Sequence, residues 1–256
     1  MAKKKYNQLS LKLHQEKKGK IELKSKVNIQ TKDDLSIAYT PGVAEPCKKI
    51  AKDKSLAYKY TIKANTIAIV SDGSAVLGLG NIGAEASLPV MEGKALIFKE
   101  FADVDAYPIV LKTQDTEEII QTVKNIAPTF GGINLEDIKA PKCFEIEQRL
   151  IDDLDIPVMH DDQHGTAIVV LAGLINALKL VNKNKEEIKI VLSGAGAAGI
   201  AITKLLMDFG CKNVILCDSK GIIDQNRNDL NKIKTEMLNT TNKKNISGSL
   251  SDAMNN

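Results

Sequence analysis

The 256-residue chain contains no tryptophan, and only Arg149 and Arg227 are arginines among its 35 basic residues. Proteins that read nucleic acids rely heavily on arginine for contacts to phosphate and guanine, so this scarcity argues against a nucleic-acid partner. The four cysteines form no C-x-x-C pair and show no regular spacing with histidine. They therefore predict reduced thiols in a cytoplasmic protein rather than a disulfide or zinc framework.

The chain also lacks the marks of a secreted or membrane-bound protein. No apolar segment of the signal-peptide type follows the N-terminal lysines, which we interpret as part of a solvated tail. The longest uncharged apolar run, residues 166–178, is short for a membrane span. We therefore expect a soluble, cytoplasmic protein without a membrane partner.

Strand-like runs alternate with helical patterns, which predicts a parallel α/β architecture. Strands are expected at residues 66–71, 106–111, 157–159, 188–193 and 214–217. Helices are expected at residues 45–52, 84–101, 116–127, 141–152, 165–181 and 197–209. Two domains are predicted, residues 1–160 and residues 161–256, the second with a Rossmann-like parallel sheet.

A glycine-rich turn of the G-x-G-x-x-G type lies between a predicted strand and a predicted helix. It consists of Gly194, Ala195, Gly196, Ala197, Ala198 and Gly199. Such glycines let the backbone approach a pyrophosphate, and the helix N-terminus attracts its negative charge. Asp218 ends the next strand, where a carboxylate can bond a ribose 2′-hydroxyl; this favours NAD over NADP, although Lys220 is near enough to weaken the preference. A purely structural glycine turn is the alternative.

Adjacent carboxylates, Asp161 and Asp162, follow a short apolar run and precede a long apolar helix pattern. Open α/β sheets place their ligands where a strand ends and a helix begins. Paired acids there suggest a divalent metal, a cationic partner or a catalytic proton transfer. The simpler explanation is a helix N-cap beside a solvated neighbour. A second acidic pair, Glu136 and Asp137, lies on a predicted loop at residues 133–138.

Two histidines permit a different function. His160 and His164 have the i, i+4 spacing of the H-E-x-x-H motif, which leaves a zinc hydrolase as a remote alternative. Against it, Asp161 replaces the glutamate and the sequence offers no evident third ligand.

Four segments together resemble the malic enzymes, specifically the short bacterial type. They read Y-T-P-G-V-A from Tyr39, S-D-G-S-A-V-L-G-L-G-N-I-G from Ser71, E-G-K-A-L-I-F-K-E-F-A-D-V-D from Glu92, and H-D-D-Q-H-G-T-A from His160. The resemblance runs from about Leu35 onward. It implies an N-terminal malic-enzyme-type α/β domain that binds substrate and metal, followed by an NAD(P)-binding domain.

The resemblance also implies an activity and roles for individual residues. Malic enzymes convert L-malate and NAD(P)⁺ to pyruvate, CO₂ and NAD(P)H with Mg²⁺ or Mn²⁺. By this resemblance Lys94 is the general base and Tyr39 the general acid, and Asp161 supports Lys94. Glu136, Asp137 and Asp162 are then the metal ligands, a hard-oxygen set that suits Mg²⁺ or Mn²⁺. Homodimers are implied in the same way.

The predicted nucleotide domain holds few strands. A doubly wound dinucleotide domain needs several strands beyond the predicted 188–193 and 214–217. We therefore expect a truncated or split enzyme with an unpaired sheet edge and an incomplete nicotinamide pocket. If the enzyme is split, a separate C-terminal polypeptide is its expected partner. A non-catalytic remnant that binds ligand without turnover is the alternative.

Overall fold

The computed structural model describes residues 2–76 and 78–255. Its strands are β1 Thr66–Ser71, β2 Asp105–Val110, β3 Gly132–Leu135, β4 Val158–His160, β5 Lys189–Ser193, β6 Asn213–Asp218 and β7 Gly221–Ile222. Its helices are α1 Ala2–Lys17, α2 Lys32–Ala38, α3 Ala44–Lys52, α4 Ala57–Tyr60, α5 Ala84–Ala102, α6 Thr116–Ile126, α7 Lys142–Asp153, α8 Asp161–Val181, α9 Ala197–Phe209, α10 Lys232–Met237 and α11 Leu250–Asn255. Strands and helices alternate over most of the chain, which confirms the predicted α/β class.

The first sheet has four strands in the order β2-β1-β3-β4. Strand β1 runs parallel to β2 in a register that pairs Thr66 with Asp105 and Ser71 with Val110. Only one of the six residues of β1 is not fully buried, as expected for an interior strand of a parallel sheet. Helix α5 covers β1 and β2, since its Met91 and Ala95 pack against Ile69. The order of the sheet makes β3 and β4 neighbours.

Sequence patterns locate most of this sheet but not β3. The predicted strand 66–71 coincides with β1, and the predicted helix 84–101 ends one residue before α5 does. The expectation of a loop over residues 133–138 is wrong for its first three residues, which belong to β3. This strand has four residues and begins with glycine, so it is too short to show an alternating or continuous apolar pattern.

The second sheet has three strands in the order β5-β6-β7. Strands β5 and β6 are parallel, whereas β7 returns antiparallel to β6 and pairs Ile222 with Cys217. Strand β7 thus pairs with the end of β6, whereas β5 has no strand on its other side among the described residues, in keeping with the expected unpaired sheet edge. In addition, Ala253 of α11 packs against Ile215, Cys217 and Ile222, so the end of the chain covers apolar surface of this sheet.

Packing divides the described chain into two compact units. One unit comprises residues 1–134 and 150–158, and the other comprises residues 135–149 and 159–256. The main division lies two residues from the boundary predicted at residue 160. The segment 135–149 belongs to the second unit, although the sequence prediction places it in the first domain.

Two other segments differ from their sequence-based descriptions. The Lys-rich start, interpreted above as part of a solvated tail, forms helix α1, whose described side chains are mostly exposed. Helix α8 begins at Asp161, four residues before the predicted start, because its first turn includes the acidic pair. At 21 residues it is the one helix of the described chain that is long and apolar enough to cross a bilayer, by length and composition alone. This corrects the judgement, made from residues 166–178, that the segment is too short.

Candidate active site

Three carboxylates converge where β3 and β4 end. Glu136 and Asp137 directly follow β3, and Asp162 is the second residue after β4. Because these strands are neighbours, their carboxylate oxygens lie within 4.8 Å of one another. Glu136 and Asp137 are buried, and Asp162 is partly buried. The backbone N–H of Asp137 donates to Asp162 Oδ2 at 2.9 Å, which joins the two acidic segments.

Asp137 takes a left-handed backbone conformation, with φ of 54°. Non-glycine residues adopt this region rarely, and aspartate is among those that tolerate it best. The conformation turns the chain directly after β3. Three carboxylates held this closely repel one another unless a cation or protons offset their charge. The arrangement therefore fits a hard divalent cation, which takes oxygen ligands.

A buried glutamate on α7 anchors the segment that carries Asp162. Glu147 Oε1 accepts a hydrogen bond from the backbone N–H of His160 at 2.6 Å, and Glu147 Oε2 accepts one from Gln163 Nε2 at 3.0 Å. His164 Nε2 lies 2.8 Å from Glu147 Oε1. The carboxylate thus holds three positions of the strand–helix junction, on both sides of Asp162, and limits how far Asp162 can move. Sequence reasoning misses Glu147 because it lies 13 residues before His160 on a different element.

The two histidines serve separate carboxylates. His160 is fully buried, and its Nε2 lies 3.2 Å from Asp162 Oδ2, in poor alignment for a hydrogen bond. His160 Nδ1 contacts Gln163 Nε2 at 3.2 Å. His164 faces Glu147, as described above. Neither histidine belongs to the group of potential metal ligands that converges in the described part of the chain, which consists of Glu136, Asp137 and Asp162, so the structure gives no support to a zinc-hydrolase site.

Cys143 lies buried close to this cluster. Burial, together with the negative charges of Asp162 and Glu147, raises the pKa of its thiol to about 12. A thiol with this pKa carries almost no thiolate near neutral pH, and the thiolate is the reactive form. Cys143 is therefore a packing residue rather than a nucleophile or metal ligand.

The other predicted catalytic residues are distributed over both units. Lys94 is half-buried on α5, and Tyr39 directly follows α2 with its side chain 66% exposed. Asp161 opens α8, and its carboxylate folds over Gly165, where an added Cβ would lie 2.4 Å from Asp161 Oδ1. Lys94 belongs to the first unit and Asp161 to the second, so support of Lys94 by Asp161 stays a prediction.

The glycine-rich turn connects β5 with α9 as expected. A cavity of about 370 Å³ is lined by residues of the turn and of the elements beside it, among them Ser193, Gly194, Gly196 and Gly199. An added Cβ would meet nothing within 4 Å at Gly194 or Gly196, but at Gly199 it would lie 1.7 Å from Gly194 O. The first two glycines therefore leave open space for a ligand, and the third permits close packing of the turn against α9.

Asp218 ends β6 beside this turn, because the backbone N–H of Gly194 donates to the carbonyl of the preceding Cys217 at 2.8 Å. The Arg227 guanidinium donates two hydrogen bonds to the Asp218 carboxylate, at 2.8 and 3.0 Å, and Lys234 Nζ donates a third at 2.7 Å. Burial alone would raise the pKa of Asp218, but the hydrogen bonds from Arg227 and Lys234 outweigh it and hold that pKa well below its usual range. Asp218 is thus ionised and paired with cations.

Family models match nearly the whole chain. The model described as "Malic enzyme, N-terminal domain" matches residues 16–117 and 112–151, and the one described as "Malic enzyme, NAD binding domain" matches residues 163–255. The chain belongs to the malic enzyme family. Glu136 and Asp137 fall in the first matched range, and Asp162 lies one residue before the second.

Individual malic enzymes resemble this chain over most of its length. It is 58% identical over 246 residues to the "Bifunctional malic/malolactic enzyme" of Bacillus subtilis (strain 168), covering 96% of this chain and 60% of the relative. It is 62% identical over 236 residues to the "NAD-dependent malic enzyme" of Geobacillus stearothermophilus, covering 92% and 49%. The crystal structure of the NAD-dependent malic enzyme from Thermotoga maritima superposes with a TM-score of 0.92 at 53% identity, covering 95% and 65%. The chain thus spans about half to three fifths of the length of the curated relatives.

Cofactor dependence varies within the malic enzyme relatives. Some matched relatives are named NAD-dependent and others NADP-dependent. Membership in the family therefore supports a nicotinamide dinucleotide as cofactor without choosing between the two. Arg227 and Lys234, whose side chains pair with Asp218, were not among the sequence-based candidates. The rarity of arginine could have drawn attention to Arg227, which is one of the two arginines of the chain.

Proposed function

We propose that this chain carries the acid–base, metal-binding and pyrophosphate-binding parts of an enzyme that oxidatively decarboxylates L-malate to pyruvate with reduction of NAD(P)⁺. The observation that carries the proposal is the convergence of Glu136, Asp137 and Asp162 at one sheet edge, within 4.8 Å. Membership in the malic enzyme family supports the identity of the substrate. The proposed location is the cytoplasm, in keeping with the soluble enzymes to which the chain is related.

Glu136, Asp137 and Asp162 would hold a divalent cation, Mg²⁺ or Mn²⁺. When bound, such an ion polarises the substrate oxygen on which negative charge develops. In this proposal Lys94 removes the proton of the malate hydroxyl, which requires a lysine pKa lowered toward neutrality. Tyr39 donates the proton that completes pyruvate. Asp161 supports Lys94 throughout the reaction, both when the lysine is deprotonated and when it is protonated.

The dinucleotide would lie along the glycine-rich turn. Gly194 and Gly196 leave open space against the cavity, and the N-terminus of α9 offers unpaired backbone N–H groups to a pyrophosphate. Hydride transfer requires the nicotinamide carbon to lie roughly 3–3.5 Å from C2 of malate. We propose that the part of the longer relatives that this chain does not span supplies the rest of that pocket, as a separate polypeptide or a continuation.

Two measurements test this function. Mn²⁺ binding to the chain, followed by electron paramagnetic resonance, should show one tight site that L-malate or oxalate perturbs. Malate-dependent formation of NAD(P)H should be negligible for the chain alone and should appear when the remaining segment of a full-length relative is added. A chain that binds Mn²⁺ and ADP-ribose but gives no turnover in any combination would favour the non-catalytic alternative. Absence of Mn²⁺ binding would contradict the proposal.

We further propose that two copies of the chain form a homodimer through the N-terminal region, defined as residues 5–65. None of these residues is buried. Large apolar side chains that are at least half exposed there are Tyr6, Leu9, Leu11, Leu23, Val27, Ile29, Ile37 and Tyr39. An exposed apolar surface of this extent is typical of an interface, and isologous dimers are the commonest assembly of soluble proteins.

Light scattering during size-exclusion chromatography tests the dimer. The wild-type chain should elute with the mass of two copies, and the double substitution Leu11→Glu with Leu23→Glu should shift it to one copy. Leu180→Glu is the control, since Leu180 is 88% exposed on α8 in the second unit and should leave the mass unchanged. A monomeric wild-type chain at micromolar concentration would overturn the proposal.

A further inference from the structure

The imidazole of His160 is fully buried and lies between two polar side chains. Its Nδ1 lies 3.2 Å from Gln163 Nε2, and its Nε2 lies 3.2 Å from Asp162 Oδ2. Among the described residues, Nε2 has no partner in the geometry of a hydrogen bond. A buried polar atom in this condition is rare in folded proteins, so the surroundings of the ring indicate what it does.

The side-chain amide of Gln163 decides which ring nitrogen of His160 carries the proton. Gln163 Nε2 donates one hydrogen to Glu147 Oε2 at 3.0 Å, because a carboxylate only accepts. The second hydrogen of the same amide group faces His160 Nδ1. A ring nitrogen that faces a donor must accept, so Nδ1 carries no proton and the neutral imidazole carries it on Nε2.

A proton on Nε2 faces the candidate metal ligand Asp162. The same oxygen, Asp162 Oδ2, accepts a hydrogen bond from the backbone N–H of Asp137 at 2.9 Å. Two N–H groups from different segments thus approach one oxygen of the Asp162 carboxylate. A carboxylate has about four lone-pair positions, so these two donors do not by themselves exclude a cation.

A neutral donor suits this place better than a cationic side chain. A lysine or arginine here would pair with Asp162 but would also repel a divalent cation bound at the same carboxylates. The imidazole N–H can orient the carboxylate without adding positive charge. Metal ligands are commonly held in place by hydrogen bonds from neighbouring groups of this kind.

We propose that His160 is a positioning residue of the candidate metal site, held in the Nε2–H form by Gln163 and donating a hydrogen bond to Asp162 Oδ2. The inference rests on the proposed metal site of Glu136, Asp137 and Asp162. Glu147 fixes His160 twice, through its backbone N–H at 2.6 Å and through the amide of Gln163. The contact of Nε2 with Asp162 has the length of a hydrogen bond but not its angle, so the proposal includes a small rotation of the Asp162 carboxylate.

Two-bond ¹H–¹⁵N correlation NMR of the metal-free chain reports the tautomer of each histidine directly. The chain has three histidines, and the signals missing from the spectrum of His160→Gln identify His160. The wild-type ring should be protonated on Nε2 alone, and a proton on Nδ1 would overturn the inference. In Gln163→Met, which lacks the donor that faces Nδ1, the Nδ1–H form should appear as well. An unchanged tautomer there would contradict the part assigned to Gln163.

Mn²⁺ affinity, measured by electron paramagnetic resonance, tests the positioning of Asp162. The terminal amide of glutamine reaches about as far as Nε2 of histidine, whereas that of asparagine reaches about as far as Nδ1. His160→Gln should therefore keep an affinity within about threefold of wild type, and His160→Asn should bind Mn²⁺ at least about tenfold more weakly. His14→Gln is the matched control, because His14 lies on α1 in the first unit and should leave the affinity unchanged.

Equal Mn²⁺ affinities in His160→Gln and His160→Asn, both weakened or both unchanged, would overturn the inference. Thermal unfolding of the two variants identifies any loss caused by misfolding, and the wild-type NMR result does not depend on it. If the wild-type chain binds no Mn²⁺, the proposed metal site itself fails and the positioning role fails with it. The Nε2–H assignment is decided separately by the NMR spectrum of the metal-free chain.

Discussion

Both sheets of this chain carry charged side chains at the carboxyl ends of their strands. One edge groups carboxylates together, and the other pairs a carboxylate with cations. At the carboxyl ends of β3 and β4, Glu136, Asp137 and Asp162 bring three negative charges within 4.8 Å. At the carboxyl end of β6, Asp218 is matched with Arg227 and Lys234. The first edge attracts a cation, and the second has its acid neutralised beside an open glycine turn that suits an anion. Both edges use the same topological position, and the side chains at the strand ends decide which sign of charge each edge would accept.

Asp162→Asn should have the largest effect on this contrast. The substitution removes one charged ligand but keeps an oxygen that can accept the hydrogen bond of Asp137. Mn²⁺ affinity should fall by more than about a hundredfold, and ADP-ribose binding should stay within about twofold of wild type. Electron paramagnetic resonance and calorimetry measure the two. Asp155→Asn, at an exposed loop position, is the control; equal Mn²⁺ affinity in all three proteins would remove the acidic edge as a metal site.

Gly199→Ala should impair the glycine-rich turn beside the second edge, through both stability and ADP-ribose binding. The new Cβ would lie 1.7 Å from Gly194 O, so the turn must open or α9 must shift. We expect a loss of about 1–3 kcal/mol in the free energy of unfolding and loss of ADP-ribose binding. Denaturant titration and calorimetry provide the measurements.

A second glycine is the matched control for this change. Gly173 lies within α8, and an added Cβ there meets nothing within 4 Å. Gly173→Ala should therefore stabilise the protein by about 0.5–1 kcal/mol through its higher helix propensity. If both substitutions change stability in the same direction, the steric account of the glycine-rich turn is wrong.

Glu147→Gln should lower Mn²⁺ affinity at the acidic edge, but by less than Asp162→Asn does. Glutamine can still accept from the backbone of His160, but it loses the charge that faces His164 and Gln163. Mn²⁺ affinity should fall by about tenfold, since groups that orient metal ligands typically contribute 10–100-fold. Glu145→Gln on the same helix, where Glu145 pairs with exposed Arg149, should leave the affinity unchanged. An unaltered affinity in Glu147→Gln would show that Asp162 is held without it.

Acidification should weaken the second edge. The pKa of Asp218 is depressed in the folded state, so its contribution to stability is present above the unfolded pKa of about 3.9 and is lost as pH falls through the folded value. The free energy of unfolding should therefore decline below about pH 4. Asp218→Asn should be less stable at neutral pH, by roughly 1–2 kcal/mol, and should show a smaller decline in acid. Parallel pH dependence in the two proteins would contradict this role for the ion pairs.

Much of the fold follows from local sequence, as β1 and α9 illustrate. The run Thr66–Ser71 is almost continuously apolar, and Ala197–Phe209 begins after one glycine and ends before another, so both predicted ranges coincide with the structure. Strand β7 has two residues and no pattern of its own. Its existence depends on pairing with β6, which local sequence does not report.

The candidate site, too, could be predicted from the sequence only in part. The motifs identify Glu136, Asp137 and Asp162 as separate acidic positions, and only the adjacency of β3 and β4 brings them together. Glu147 and Arg227 act through contacts with residues 13 and nine positions away. Neither belongs to a motif with regular spacing. Their partners are decided by tertiary packing, which is why the sequence identified Asp218 but not the cations that neutralise it.

Helix α8 carries both an acidic residue of the candidate site and leucines of a hydrophobic cluster in the second unit. Its first turn carries Asp162, and about two and a half to three turns later Leu171 and Leu174 pack against the cluster of Leu206, Cys211 and Val214. Because an α-helix advances about 100° per residue, a single insertion between these points would turn the carboxylate away while the leucines stayed in place. Hybrids between members of this family should therefore be joined in the exposed segment 182–187 after α8, so that the acidic turn and its leucines are inherited from one parent.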